Sequence, residues 1–276
     1  MGPDHDQALA HYRGGATAFP VAIRMSYSRA MVRCAGCRPD VMREGLYKVE
    51  MRTVHGSRRG ILYVFDGNMM GGNSAFAFIG SYRESASGEL SVDISTLRHN
   101  EDPKFQPLLK SDNITLSLSG RQRGDQYFFQ GGTAQLPEIV FNSVMTPISE
   151  ASAPPVVSVG QGGIRNGLYS IHIRMLDGID GGNTGVMVLH DGKMRGGDAF
   201  FHYMGAYTAA KGRWKGELVN HEHTPSKGER PVFGGYEVGI GFSGSYTDDG
   251  AVAEATALAG KRSIRFSAVL KKLVEV

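Results

Sequence analysis

Asp191-Gly192-Lys193-Met194-Arg195-Gly196-Gly197-Asp198 decides the fold, because the chain carries this stretch twice. The earlier copy is Asp66-Gly67-Asn68-Met69-Met70-Gly71-Gly72-Asn73. Each copy stands between two apolar runs, 61–65 and 75–80 around the first, 186–189 and 199–205 around the second. Asp-Gly is a strong signal for a two-residue hairpin turn, since both central positions of a type I′ turn need positive φ. The Gly-Gly pair four residues later permits a second sharp bend or a close backbone approach. Neither pair is followed by the helix and lysine of a phosphate loop. The unit reads as strand, tight turn, very short strand, bend, strand.

Working outward, the match continues. Gly45-Leu46-Tyr47 returns as Gly167-Leu168-Tyr169, Gly80-Ser81-Tyr82 as Gly205-Ala206-Tyr207, His99 as His223 and Phe141 as Phe266. A repeat of roughly 105 residues is too long for a solenoid and suits a small domain. Two homologous domains follow, 42–148 and 164–276, joined by a linker at 149–163 that contains Pro154-Pro155 and Gly162-Gly163. Residues 1–41 match neither repeat. They lack the contiguous apolar core of a secretory signal, because Arg24, Arg29 and Arg33 interrupt it. They are expected to be a disordered extension of a cytoplasmic protein.

Composition agrees with an all-β class. Glycine accounts for 38 residues, proline for only 11, and no Gly-x-y period exists, so the glycines mark turns between short strands and not collagen. A net charge of +3 gives no case for direct nucleic-acid binding. No apolar run reaches the 18 residues of a membrane span. The two cysteines, Cys34 and Cys37, have no second pair to complete a zinc site and no thioredoxin-like surroundings, so they read as incidental thiols.

Within the first domain, alternation and turn signals predict strands at 46–54, 60–65, 69–70, 75–82, 90–96, 114–119, 126–133 and 139–146, with a polar turn at 55–59. Tyr47, Val49 and Met51 share one face; Lys48, Glu50 and Arg52 share the other. The second domain repeats the scheme, with Trp214 in the place of Leu90. Eight short strands joined by hairpin-length loops predict an antiparallel meander, and eight tilted strands close into an up-and-down β-barrel with room for side chains or one small ligand.

Candidates for chemistry are few. His221 and His223 share a face of an extended segment, and His202 or Asp198 would be the third ligand of a metal site; polar strand-end histidines are the simpler reading. His99, Glu101 and Asp102, or Asp177 and Asp180, suggest acid–base pairs, yet all suit turns. Ser119-Gly120 and Ser243-Gly244 carry no nucleophile elbow. We therefore expect no catalytic residues, no cofactor, no metal and no enzyme. Phe76, Phe78, Phe128, Phe200, Phe242 and Phe266 are core residues by default and pocket lining if a barrel is open.

The pattern Gly-Leu-Tyr, Asp-Gly-Lys-Met-Arg-Gly-Gly-Asp, then Tyr203-Met204-Gly205-Ala206-Tyr207 resembles the GrlR family, small negative regulators of type III secretion gene expression. The resemblance covers about 42–148 and 164–276 and is better in the second domain, since Asn68 and Asn73 replace the Lys and Asp in the first. It implies a lipocalin-like eight-stranded barrel and, because the family forms homodimers, a pseudo-two-fold dimer within one chain. It also implies a regulatory protein-binding module that sequesters a transcriptional activator. The family's acidic Glu-Asp-Glu-Asp surface motif is missing: residues 83–89 keep Glu84 and Glu89, and 208–213 carry Lys211 and Arg213. The candidate contact surface is Lys193, Arg195, Asp198, Glu84, Glu89, Lys211 and Arg213. The alternative expectation is a carrier or sensor of a small apolar ligand held inside a barrel.

Overall fold

The computed structural model describes residues 42–157, 163–176, 183–226, 233 and 237–276. The expectations for residues 1–41, with Cys34 and Cys37, and for Asp177 and Asp180 lie outside them. Strands β1 (Gly45–Thr53), β2 (Gly56–Phe65), β3 (Asn68–Gly72), β4 (Phe76–Glu84), β5 (Leu90–Arg98), β6 (Asn113–Arg123), β7 (Gln126–Thr133) and β8 (Leu136–Pro147) pair antiparallel in sequence order, and β1 pairs β8 to close a barrel. Strands β9 (Gly167–Met175), β10 (Asn183–His190), β11 (Lys193–Gly197), β12 (Phe201–Ala210), β13 (Arg213–Glu222), β14 (Val238–Tyr246), β15 (Gly250–Ala259) and β16 (Arg262–Glu275) close a second in the same way, through β9 and β16. The chain is two tandem lipocalin-like barrels.

The duplicated stretch makes one corner of each. Asp66 and Gly67 have φ of 47° and 76°, Asp191 and Gly192 of 46° and 80°, the double positive φ of a type I′ turn. At the following bend Gly72 and Gly197 both stand at φ 156°. Asn73 Oδ1 there accepts the amides of Ala75 at 3.0 Å and Phe76 at 2.9 Å. Asp198 Oδ1 likewise accepts those of Phe200 at 2.7 Å and Phe201 at 2.8 Å. The two recurring histidines pin the same bend, His99 Nε2 donating to the Asn73 carbonyl at 3.0 Å and His223 Nε2 to that of Asp198 at 3.5 Å.

One predicted boundary is corrected. Residues 55–59 read as a turn because they are polar, but β2 begins at Gly56 and the turn is Val54-His55. Arg58 and Arg59 pair with Met51 and Glu50. Polarity here reflects exposure of the hairpin and not loss of the ladder.

Each barrel has its own interior core. A third apolar cluster lies between the barrels, built from outward side chains: Leu46, Ile61, Tyr63 and Met70 of the first against Val186, Val188 and Met204 of the second. This contact explains why 61–65 and 186–189 are apolar at every position, since both faces of β2 and β10 are covered. The contact is reciprocal. A Cβ on Gly72 would stand 3.0 Å from Val186 Cγ1, and one on Gly197 would stand 2.7 Å from Ile61 Cγ1. The two glycine bends thus let each barrel seat on the other's strand, a pseudo-two-fold arrangement. The segment after β8 is also docked: Ile148 donates its amide to Leu46 at 2.8 Å, and Ala153 packs on the inter-barrel cluster. No helix among the described residues is long and apolar enough to cross a membrane.

Candidate functional site

The two interiors differ. The first barrel encloses about 80 Å³, and the 99–112 connection lays Leu108 and Leu109 across one end. The interior of the second opens into a cavity of about 600 Å³ that reaches as far as residues of the first barrel. Register shows the cause. Where β7 and β8 face Phe129 with Ser143 and Tyr127 with Met145, β15 and β16 face Ala253 with Ala268 and Ala251 with Leu270. Two aromatic side chains have become alanines. Trp214 in the place of Leu90 and Phe242 in the place of Leu118 fill only the far end. Trp214 is buried there against Phe242, ring centroids 4.6 Å apart, with Tyr207 edge-on at 6.2 Å, and its Nε1 donates to the Val252 carbonyl at 2.9 Å.

The walls are apolar, Ile171, Met187, Ile240, Ala253, Phe266 and Leu270 among them. Polar groups gather toward the mouth. Tyr203 donates its hydroxyl to Asp198 Oδ2 at 2.8 Å. Burial, and then the Asp198 charge, raise the Tyr203 phenol well above its ordinary value, so it stays a donor. Asn220, only 3% exposed, also lines the cavity, and its Oδ1 meets no hydrogen-bond partner among the described residues. Its counterpart in the first barrel is Thr96, whose Oγ1 accepts the Ile114 amide at 3.3 Å. The rim of the cavity is completed by the other barrel, through Arg58 and Arg59 of β2, Ser74, and Lys104 of the long connection. Thr184 fastens that seam, donating to the Ser74 carbonyl at 2.6 Å and accepting from Asn100 Nδ2 at 2.8 Å.

Of the six phenylalanines, Phe200, Phe242 and Phe266 line the second cavity, Phe78 the first, and Phe76 both. Phe128 is corrected: it faces outward under the Arg123 guanidinium, 5.4 Å from the ring centroid, because the pleat turns Tyr127 and Phe129 inward. The candidate contact residues come from both barrels and from different turns. Lys193 is exposed beside the Asp-Gly turn; Lys211 and Arg213 flank the β12–β13 turn; Glu84 and Glu89 flank β4–β5, with Glu89 3.8 Å from Arg121. Arg195 and Asp198 are buried and so are not surface contacts. Arg195 is held by Glu150, Nη2 to Oε2 at 2.6 Å, and Asp198 by its own bend.

His202, His221 and His223 do meet, ring centroids 5.5 and 6.4 Å from His202. No group of three metal-binding side chains poised to hold an ion occurs among the described residues. Burial, with His221 beside it, pushes His202 down to about 4. Burial likewise pushes His223 down to about 3. Glu222 is occupied by the amide and hydroxyl of Ser226 at 2.6 and 2.7 Å.

No protein-family model matches the chain, and no curated protein matches it. The family resemblance therefore rests on the repeated motifs alone. Sequence reasoning missed two features, each with a signal. The unbroken apolar runs announce strands covered on both faces, and Ala251, Ala253, Ala255 and Ala257 put four small side chains on one inner face.

Proposed function

We propose that this chain is a non-enzymatic binding protein whose second barrel receives a small apolar molecule, while the first, filled barrel braces it and completes its mouth. The observation that carries this reading is the cavity of about 600 Å³ with apolar walls and a few convergent polar groups. Ligand sites span roughly 300–1,000 Å³ and have this composition. The regulatory reading, sequestration of a transcriptional activator, calls for a contiguous contact face. The exposed large apolar residues are few among the described residues, Val54, Val140, Val156, Val157, Leu176 and Leu258, and none lines the cavity. The ligand reading is therefore the one we favour.

The single tryptophan of the chain lines the cavity and reports on it. Titration of the intact protein with 1-decanol is expected to shift Trp214 emission saturably. The variant Ala253→Phe, which restores the first barrel's filling, is expected to abolish the response and leave the urea midpoint unlowered. Absence of a saturable response in the parent protein would overturn the proposal.

A further inference from the structure

The seam between the barrels has two related halves that differ in chemistry. A Cβ placed on Gly72 would stand 3.0 Å from Val186 Cγ1 and from the Ala77 Cα; one on Gly197 would stand 2.7 Å from Ile61 Cγ1 and 3.0 Å from the His202 Cα. In the Gly72 half, Ala77 and Leu97 pack into the apolar cluster. That half is latched by Thr184, which donates to the Ser74 carbonyl at 2.6 Å and accepts from Asn100 Nδ2 at 2.8 Å. In the Gly197 half, register puts His202 and His221 where the first has Ala77 and Leu97. His202 is buried, and the rings of His221 and His223 lie 5.5 and 6.4 Å from it. Arg59 takes the place of Thr184, each preceding the glycine, Gly60 or Gly185, that packs on its own barrel's bend.

The surroundings of this cluster disfavour a proton. Burial is the largest cause and holds His202 at about 4 and His223 at about 3 while the seam is closed. The charge of His221 adds to this at His202; those of His202 and of Lys48 and Arg59 from the first barrel add to it at His223. Glu237, just before β14, opposes it at His202. Glu222 is bound by the Ser226 amide and hydroxyl and lies near His221 and His223. Asp198 is turned to its own bend and to Tyr203, and Glu50 to Lys48 at 3.1 Å. The Gly72 half carries a single histidine at this end, His99, fixed on the Asn73 carbonyl at 3.0 Å and pushed down by burial. His190 stacks on Phe65 at the Asp-Gly turn, the other end of β11, beside Asp191 at 3.9 Å.

From this cluster and its placement we infer that the seam is an acid-operated hinge: protonating His202 and His223 parts the Gly197 bend from Ile61 and Arg59, while Thr184 and the Glu150–Arg195 pair hold the rest. Arg59 on one side of that half, and Ala199 and Phe200 on the other, line the cavity, so parting them widens its rim. Both imidazoles return to an ordinary 6.5 once wet. Their contribution to closure is therefore complete above that pH and is lost as pH falls toward the closed-state values. With two protons taken up, the ratio of open to closed rises by up to about a hundredfold per pH unit. The hinge does not depend on what the cavity binds.

Oxidation of methionine by hydrogen peroxide tests this on the intact, ligand-free protein at pH 7.5 and 5, since the thioether itself does not titrate. Peptide mass spectrometry reads each methionine separately. Met204 is the reporter: it lies two residues from His202 on the same outward face and is buried in the seam. Met69 and Met145, buried inside the first barrel, and far-ultraviolet circular dichroism of the whole chain report unfolding. Met204 is expected to oxidise at least about tenfold faster at pH 5, with the two interior methionines and the dichroism unchanged. His202→Ala with His221→Leu, the residues of the other half, should cut that rise at least about threefold. Arg59→Gln, at an exposed site, should move its midpoint down by a few tenths of a pH unit. An unchanged Met204 rate, a full rise retained by the double variant, or a rise shared by Met69 and Met145, which marks acid unfolding, overturns the inference. None of these outcomes touches the ligand reading.

Discussion

Glu150→Ala is the most informative structural perturbation, because it removes an acidic group that reaches from the first half of the chain to Arg195. Arg195 Nη2 and Nε lie 2.6 and 2.8 Å from Glu150 Oε2. Arg195 Nη1 donates to the carbonyls of Met194 at 2.9 Å and Gly205 at 3.1 Å. The arginine side chain is 7% exposed and the glutamate side chain 30%. Breaking a fully buried pair costs about 3–5 kcal/mol, because a buried charge is left uncompensated. Water reaches this carboxylate, which lowers the figure to about 2–3 kcal/mol. Glu150 Oε1 also accepts the Leu46 amide at 2.9 Å, and losing that bond adds about 1 kcal/mol.

The expected total is thus about 3–4 kcal/mol. The first barrel carries Met70 where the second carries Arg195, so its own half of the interface shows that a methionine fits. Glu150→Gln with Arg195→Met should therefore fall within about 1.5 kcal/mol of the parent, since no charge is stranded. Urea unfolding followed by Trp214 emission for the second barrel, and by far-ultraviolet circular dichroism for both, measures the series. A cost below about 1 kcal/mol for Glu150→Ala, or a double variant as unstable as the single one, refutes this account.

Acid should destabilise the chain through its buried histidines. His202 and His223 are depressed in the folded state, from 6.5 to about 4 and about 3, so their contribution is complete above pH 6.5 and is lost as pH falls toward those values. Each contributes a slope of up to about 1.4 kcal/mol per pH unit in that window, and His202→Gln should flatten the fall measured by urea midpoints from pH 7 to 4.5; an unchanged slope would count against it. Gly197→Ala should cost at least about 2 kcal/mol, since the new Cβ meets the Phe201 carbonyl oxygen at 2.2 Å and Ile61 Cγ1 at 2.7 Å with φ at 156°. Gly241→Ala, with nothing within 4 Å of its Cβ, should be neutral or mildly stabilising; thermal midpoints of the two variants separate the steric argument from a general intolerance of glycine replacement.

The barrels were legible because the information that builds them is local. Asp66-Gly67 and Asp191-Gly192 specify their turn through φ preferences that need no tertiary context, and period-two alternation in Tyr47, Val49 and Met51 names the inner face directly. The site was less legible because it depends on what meets across a barrel. Phe128 and Phe129 are adjacent and chemically identical, and only register decides that the second is inside. Arg195 and Asp198 look like surface charges in sequence; their partners, Glu150 and the backbone of residues 200–201, become visible only once the bend and the inter-barrel seam exist. The arginines that complete the rim come from the other repeat, which no single-repeat reading brings to the cavity.

The difference between the two interiors bears on function through energetics. An aromatic side chain lost from a packed core costs about 3–5 kcal/mol when its space stays empty. The second barrel forgoes such packing at Ala253, where the first has Phe129, and again at Ala251, where the first has Tyr127. The first barrel carries the larger residues beside Leu90 and Leu118, where the second has Trp214 and Phe242. Trp214 and Phe242 recover part of the loss at the far end, and the cavity remains. The rest is met from outside the barrel, by the apolar seam, by the reciprocal seating of Val186 on Gly72 and Ile61 on Gly197, and by the Glu150–Arg195 pair that the first half does not have. A filled barrel bracing an open one is the arrangement expected when the interior of the second must stay available to a ligand that supplies the missing packing on binding.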